Sequence, residues 1–166
     1  IPEIFFTQKP TKEERKILFL GRISPKKKLE TLIEAMSLIE DKKIVAEIVG
    51  PPEEPYFSNL KNLVGKFKLE KRVLFLPPVF ELKEKIKKID KSKVFVLPSR
   101  VEGMPQSLIE AMARKKIVIG SDSIAIRDLI HDGKNGILFE FDNPKELARA
   151  IEKAFANENK KMPEEA

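Results

Sequence analysis

Short apolar runs alternate with stretches of helical periodicity along this chain, and that alternation restricts the possible folds more than any other feature. "KILFLG" (Lys16–Gly21), "KIVAEIVG" (Lys43–Gly50), "RVLFLP" (Arg72–Pro77), "KVFVLP" (Lys93–Pro98) and "KIVIGS" (Lys116–Ser121) are rich in Val, Ile, Leu and Phe. A sixth extended segment follows the turn in "DGKNGILFEF". These runs lack the polar–apolar alternation of a half-exposed strand. They predict a parallel sheet covered on both faces. Between them lie candidate helices. Lys28–Glu40 has apolar residues at 29, 32, 33, 36 and 39, the stripe of an amphipathic helix. A second helix starts near Tyr56 after the turn "PPEEP", and "FELKEKIKKIDKS" gives a short third. A further helix follows Pro105, and another short one lies near Ile124–His131. "NPKELARAIEKAFANE" gives the last, with Asn143 as its N-cap and Pro144 as its first residue. The predicted class is α/β: a Rossmann-like, doubly wound parallel sheet with helices on both faces.

In such sheets ligands bind beyond the carboxyl ends of the strands, where the strand order reverses. Four loops are thereby selected: Gly21–Lys28, Gly50–Pro55, Pro98–Pro105 and Ser121–Ile126.

Composition excludes several function classes. There is no cysteine and one histidine, His131, which rules out disulfides, thiolate sites and a histidine-rich metal cluster. No apolar run reaches the length of a membrane span, and the N-terminal stretch lacks the order of a signal peptide. A cytoplasmic protein is expected. The net charge is +6. Its lysines are interleaved with acids, as in "ELKEKIKKIDKSK", which fits solvated helix faces or attraction to an anionic ligand or membrane surface. With no aromatic–basic interleaving or zinc finger, nucleic acid is not an expected partner.

Two stretches carry candidate chemistry. "GRISPKKK" follows the first strand. Gly21 lets a ligand approach the backbone, Arg22 offers a fork of donors suited to phosphate, and Lys26, Lys27 and Lys28 cluster where a helix begins. Residue types alone allow a phosphate site or an ordinary basic loop. Neither "GxxxxGK[ST]" nor "GxGxxG" occurs there, which argues against a Walker loop and a dinucleotide cofactor. "PSRVEGMPQSLIEAMA" (Pro98–Ala113) follows the fourth strand. Pro98 ends that strand, Gly103 permits a tight turn, and Pro105 suits a first helical position. N–H groups near Met104–Ser107 are then free to meet an anion. Glu102 and Glu110 could face one cleft and accept sugar hydroxyls, or be an exposed loop acid and an ordinary helix acid.

"GRISPKKKLETLIEA", "PSRVEGMPQSLIEAMA" and "HDGKNGILFEFDNPKELARAI" resemble, in that order, the C-terminal half of family-4 retaining glycosyltransferases, over about Lys16–Phe155. The resemblance implies one half of a GT-B enzyme, in which two Rossmann-like domains face across a cleft. Residues 1–15 are then an interdomain linker, 16–157 a donor-binding domain, and 158–166 a polar tail. The implied reaction transfers a hexosyl group, mannosyl or glucosyl, from a UDP-, GDP- or ADP-linked sugar to a hydroxyl acceptor. No cofactor is implied beyond that substrate, and no metal is expected in this half, since no acidic "DxD" cluster precedes the donor site and a basic pair takes that role.

Arg22 and Lys27 match the pair that grips the diphosphate and stabilises the leaving group. Glu102 matches the glutamate near the donor sugar, and Glu110 the one that binds ribose hydroxyls. Gly21, Gly50, Gly103, Met104, Pro105, Gln106 and Ser107 match donor-binding positions, and Pro77–Phe80 the region around the base. The implied partners are the nucleotide sugar, a missing N-terminal acceptor domain and, through the full-length enzyme, a lipid-linked acceptor at a membrane face. His131 is read as a surface residue.

The chain departs from the family pattern in places. Lysine replaces the usual glycine at Lys28, where it either adds a phosphate contact or points to solvent. "IAIRD" (Ile124–Asp128) stands for "GGxxE", and "MARKKIVIGS" for "MACGxPVVAS". Two other readings remain: an epimerase-type nucleotide-sugar enzyme on the same architecture, and a degenerate domain that binds without catalysis.

Overall fold

The computed structural model describes residues 1–156. Six parallel strands form one sheet: β1 Lys16–Leu20, β2 Val45–Val49, β3 Val73–Leu76, β4 Val94–Leu97, β5 Ile117–Ser121 and β6 Ile137–Phe139. Their order is β3-β2-β1-β4-β5-β6. All six predicted extended segments are present, each slightly shorter than its apolar run. Register is even, with Phe19 opposite Ile48, and Ile48 opposite Phe75.

Phe19 and Ile17 of β1 and Phe95 and Val96 of β4 are fully buried. Successive residues of a strand point to opposite faces, so both faces of this sheet are covered. That is why the strand sequences show no alternation.

The helices are α1 Ile4–Thr7, α2 Leu29–Leu38, α3 Tyr56–Lys66, α4 Leu82–Lys91, α5 Gln106–Ala113, α6 Ile124–Arg127 and α7 Pro144–Ala156. α2 packs on α3 and α7, while α4 packs on β1 and α5 on β4 and β5. Parallel neighbours must be joined by crossover connections, and the helices lie in those connections. The chain moves outward through β1, β2 and β3, then jumps back to β4, so the strand order reverses between β1 and β4. The loops after those two strands face each other there.

Boundaries differ from the sequence expectation where local bonds decide. α2 starts at Leu29, because Pro25–Lys27 form a separate 3-10 turn ending at left-handed Lys28 (φ 48°). Pro105 is the N-cap of α5 and not its first residue. α6 is shorter than the stretch to His131. The predicted cap of α7 is present: the Glu146 N–H donates to Asn143 Oδ1 at 3.0 Å. The rest of the last predicted helix, and the segment 158–166 read as a polar tail, lie outside the described residues.

Within the stretch read as linker, Ile4–Thr7 form α1 and Phe5 is fully buried. Arg114 holds this turn, donating to Phe5 O at 2.7 Å and Gln8 O at 3.1 Å. The same guanidinium grips buried Asp90 through two bonds of 2.8 and 2.7 Å. A bidentate pair of this kind compensates two desolvated charges at once.

Candidate functional site

Two glycines bring the first two loops together. Gly21 directly follows β1 and Gly50 directly follows β2, and a Cβ on Gly50 would lie 1.8 Å from Gly21 O. Only glycine permits that crossing. The Gly21 N–H donates to Val49 O at 3.0 Å, and the Ile23 N–H to Pro51 O at 2.9 Å. The loop after β1 is thereby laid over the loop after β2. A third loop joins where the Arg100 N–H donates to Lys26 O at 2.9 Å.

These loops enclose a cleft of about 340 Å³ at the carboxyl ends of the central strands, a size suited to a small organic ligand. Gly21, Arg22 and Lys27 line one side, and Gly50 lies beneath. Glu102, Met104, Pro105, Gln106 and Ser107 line the other. Of the four loops selected from the sequence, those after β1, β2 and β4 line the cleft, and the one after β5 does not.

Lys27 Nζ lies 2.5 Å from Glu102 Oε1. The Ser99 hydroxyl donates to the same oxygen at 2.5 Å, and Ser121 Oγ donates to Ser99 O at 2.5 Å. Glu102 is therefore held by a chain of donors running back to β5. Arg22 is exposed and makes no side-chain hydrogen bond or ion pair among the described residues. Its fork is open to an incoming anion.

Local bonds occupy some of the donors at the two helix N-termini. At α2 the first N–H is taken: Leu29 donates to the Tyr56 hydroxyl at 2.9 Å, and that hydroxyl donates to Glu30 Oε2 at 2.6 Å. Burial, aided by Glu30, pushes the Tyr56 hydroxyl far above its ordinary pKa, so it stays a neutral donor. At α5 the Gln106 N–H is closed onto Met104 O at 2.8 Å, and Pro105 has none. The Met104 and Ser107 N–H groups are left without a backbone partner among the described residues.

Gly103 is not required by sterics, since a Cβ there would meet nothing within 4 Å. It lies outside the cleft lining and leaves the loop's outer side open. Lys28 takes neither expected course. Its ammonium points to Asp142, 3.5 Å away. Asp128 and His131 are exposed.

Glu110 is 4% exposed and is not itself part of the cleft wall. Lys85 of α4 lines the cleft, and its Nζ lies 2.6 Å from Glu110 Oε2. That contact lacks hydrogen-bond alignment, and Oε2 is enclosed with no hydrogen bond among the described residues. Sequence reasoning missed Lys85. It is one lysine among many in "ELKEKIKKIDKSK", and only its position on α4 aims it at Glu110. Tyr56 and Ser99 were missed likewise, each being an ordinary residue until its partner is seen.

The arrangement sets Arg22 and Lys27 on one side against Glu102 and the open Met104 and Ser107 N–H groups on the other, chemistry suited to an anionic, hydroxyl-rich ligand. Among the described residues, no three His, Asp or Glu side chains gather to hold a metal ion. No helix of the described residues is long and apolar enough to cross a membrane.

Comparison with known proteins decides the family. The sequence model for glycosyl transferases group 1 matches residues 1–166. The chain belongs to that family. An uncharacterized glycosyltransferase of Methanocaldococcus jannaschii is 30% identical over 152 residues, covering 89% of this chain and 38% of its own length. This glycosyl transferases group 1 chain thus spans well under half the length of that relative. Among solved structures, a Staphylococcus aureus TarM mutant in complex with fondaparinux, alpha-GlcNAc-glycerol and UDP superposes with a TM-score of 0.82 at 25% identity. It covers 92% of this chain and 31% of its own. The C-terminal domain of a group 1 family protein, LpcC of Francisella tularensis, superposes with a TM-score of 0.78 at 25% identity, covering 89% of this chain and 77% of its own. The sheet is that of a GT-B half.

Proposed function

We propose that this chain is the donor-binding half of a retaining glycosyltransferase. The whole enzyme transfers a hexosyl group, mannosyl or glucosyl, from a nucleoside diphosphate to a hydroxyl acceptor held by an N-terminal domain. The observation that carries this reading is the pairing of Lys27 with Glu102 at 2.5 Å beside the open fork of Arg22, inside one cleft.

In this reading the diphosphate lies against Arg22, Lys27 and the Met104 and Ser107 N–H groups. The bond from the anomeric carbon to the diphosphate breaks, and its electron pair stays on the phosphate oxygen. Arg22 and Lys27 meet that growing charge. Preorganised donors of this type each contribute a few kcal/mol in a water-poor site. Glu102, its orientation set by Ser99 and Lys27, accepts sugar hydroxyls and orients the ring. Glu110 serves the ribose.

Titration calorimetry of the chain with UDP, GDP and ADP, then with the matching sugar nucleotides, tests the reading. One base is expected to bind with micromolar to low-millimolar affinity, and Arg22→Ala to abolish measurable binding. In the full-length enzyme Arg22→Ala should cut turnover strongly. Turnover within about twofold of wild type, under roughly 0.5 kcal/mol, would remove Arg22 from the diphosphate site.

A further inference from the structure

Lys28 stands in a left-handed conformation, φ 48° and ψ 47°, between Lys27 of the cleft wall and Leu29 of α2. That backbone is unfavourable for a residue with a side chain and persists only where the surroundings enforce it. Bonds on either side enforce it here. The Lys28 N–H donates to Pro25 O at 3.2 Å, and fully buried Leu29 directs its N–H at the Tyr56 hydroxyl, 2.9 Å away. That hydroxyl, kept neutral by burial, donates in turn to Glu30 Oε2 at 2.6 Å. A phenol can accept and donate at once. Tyr56 opens α3, so the loop after β1 is fastened to the connection from β2 to α3 at both ends. Gly21 and Ile23 donate to Val49 O and Pro51 O at its start, and Leu29 donates to Tyr56 at its finish. Lys27 lies two residues before that second fastening.

We propose that Tyr56 is a positioning residue for diphosphate binding: its hydroxyl holds the Leu29 N–H, keeps Lys28 left-handed, and thereby fixes the turn that aims the Lys27 ammonium into the cleft. The inference rests on the donor-site reading and adds to it a side chain that forms no part of the cleft wall. Without the hydroxyl the Leu29 N–H is buried and unmet, which is costly. Lys28 is then free to relax to right-handed backbone. The Pro25–Lys27 turn rotates with it, and Lys27 leaves its place 2.5 Å from Glu102. The outer phosphate of a diphosphate loses its cation, while the rest of the nucleotide keeps its contacts. Glycine accepts left-handed backbone without strain. At position 28 it would remove the need for the hydroxyl and give up only the partly exposed contact with Asp142.

The test is calorimetry of the chain with UDP, GDP and ADP, each beside its nucleoside monophosphate. For the base that binds, wild type should favour the diphosphate by roughly tenfold. Tyr56→Phe should weaken the diphosphate about fivefold, leave the monophosphate within about twofold, and so shrink the ratio. Adding Lys28→Gly to that variant should restore most of the ratio. Glu30→Ala, which removes the acceptor that orients the hydroxyl, takes the place of Tyr56→Phe should that variant fail to fold, and the ratio should shrink in the same way. Equal weakening of monophosphate and diphosphate would mean that Tyr56 only supports the fold, and would overturn the inference while leaving the donor site standing. No change in either affinity would overturn it as well, as would a ratio that Lys28→Gly does not restore. Failure of the wild-type chain to bind any nucleoside diphosphate would remove the donor-site reading, and this inference with it.

Discussion

Lys27 and Glu102, 75 residues apart in sequence, meet at 2.5 Å where the loop after β1 faces the loop after β4. Ser99 donates to the same carboxylate oxygen. The pair uses up a negative charge within a cleft that otherwise presents cations, and it fixes the Lys27 ammonium before any ligand arrives. Glu102→Gln keeps the Ser99 bond and frees Lys27. Nucleoside diphosphate binding should tighten by about threefold at low salt, and the gain should fade as salt rises. Calorimetry at two ionic strengths checks this. Weaker binding at low salt would mean that Glu102 contributes to the diphosphate site itself.

Gly50 and Gly103 should respond in opposite ways to alanine. A Cβ at Gly50 would meet Gly21 O at 1.8 Å, whereas one at Gly103 would meet nothing within 4 Å. Gly50→Ala is expected to cost about 3 kcal/mol or more, because two backbones must separate. Gly103→Ala should stay within about 0.5 kcal/mol of wild type. Urea denaturation reads both. Equal costs would show that the crossing of the two loops is not a source of stability.

Glu47 makes stability depend on pH in a defined direction. It is 7% exposed, with Lys88 at 2.9 Å and Lys16 at 3.1 Å. Burial alone would raise its pKa, but hydrogen bonds from Lys88 and Lys16 outweigh burial and hold the carboxyl below its ordinary 4.5. A depressed folded pKa gives stability that is present above the unfolded value and is lost as pH falls through the folded one. Lys88→Met should therefore cost about 1–2 kcal/mol near neutrality, less than a fully buried pair because Lys16 remains and Lys88 is partly screened. The difference should shrink below about pH 4. Thermal unfolding across that range checks it, and a pH-independent difference would point to lost packing alone.

Lys68 follows the end of α3 in a left-handed conformation, φ 55°. The Lys68 N–H donates to Gly65 O at 3.1 Å and the Leu69 N–H to Val64 O at 3.0 Å, the two bonds of a Schellman cap. That position suits glycine, and lysine there is strained. Lys68→Gly should raise stability by about 1 kcal/mol. A lower urea midpoint would show that the flexibility of glycine in the unfolded chain outweighs the strain relieved.

Much of this was legible in the sequence because it is written in local patterns. The six apolar runs named the strands, their lack of alternation named a sheet covered on both faces, and Asn143–Pro144 named the start of α7. Gly21, Arg22, the cluster Lys26–Lys28 and Glu102 stood out by residue type and place after a strand, but only the resemblance separated Lys27 from its neighbours and gave these residues roles. α1 was not foreseen. Phe5 reads as part of a linker until Arg114, more than a hundred residues away, is seen to hold its carbonyl. Lys28 had two expected courses and took a third, because Asp142 is brought to it only by the fold.

The order of apolar and periodic segments determines by itself that this chain forms a parallel α/β sheet, since burial on two faces and helical spacing are properties of neighbouring residues. Which side chains share a cleft is decided by tertiary structure. The jump from β3 back to β4 sets the loops after β1 and β4 side by side, and Gly50 lets two backbones cross. Only then does one lysine of α4 become the partner of Glu110. Charge and hydrogen bonding act over a few ångströms of space, and the sequence does not record which distant residues come that close.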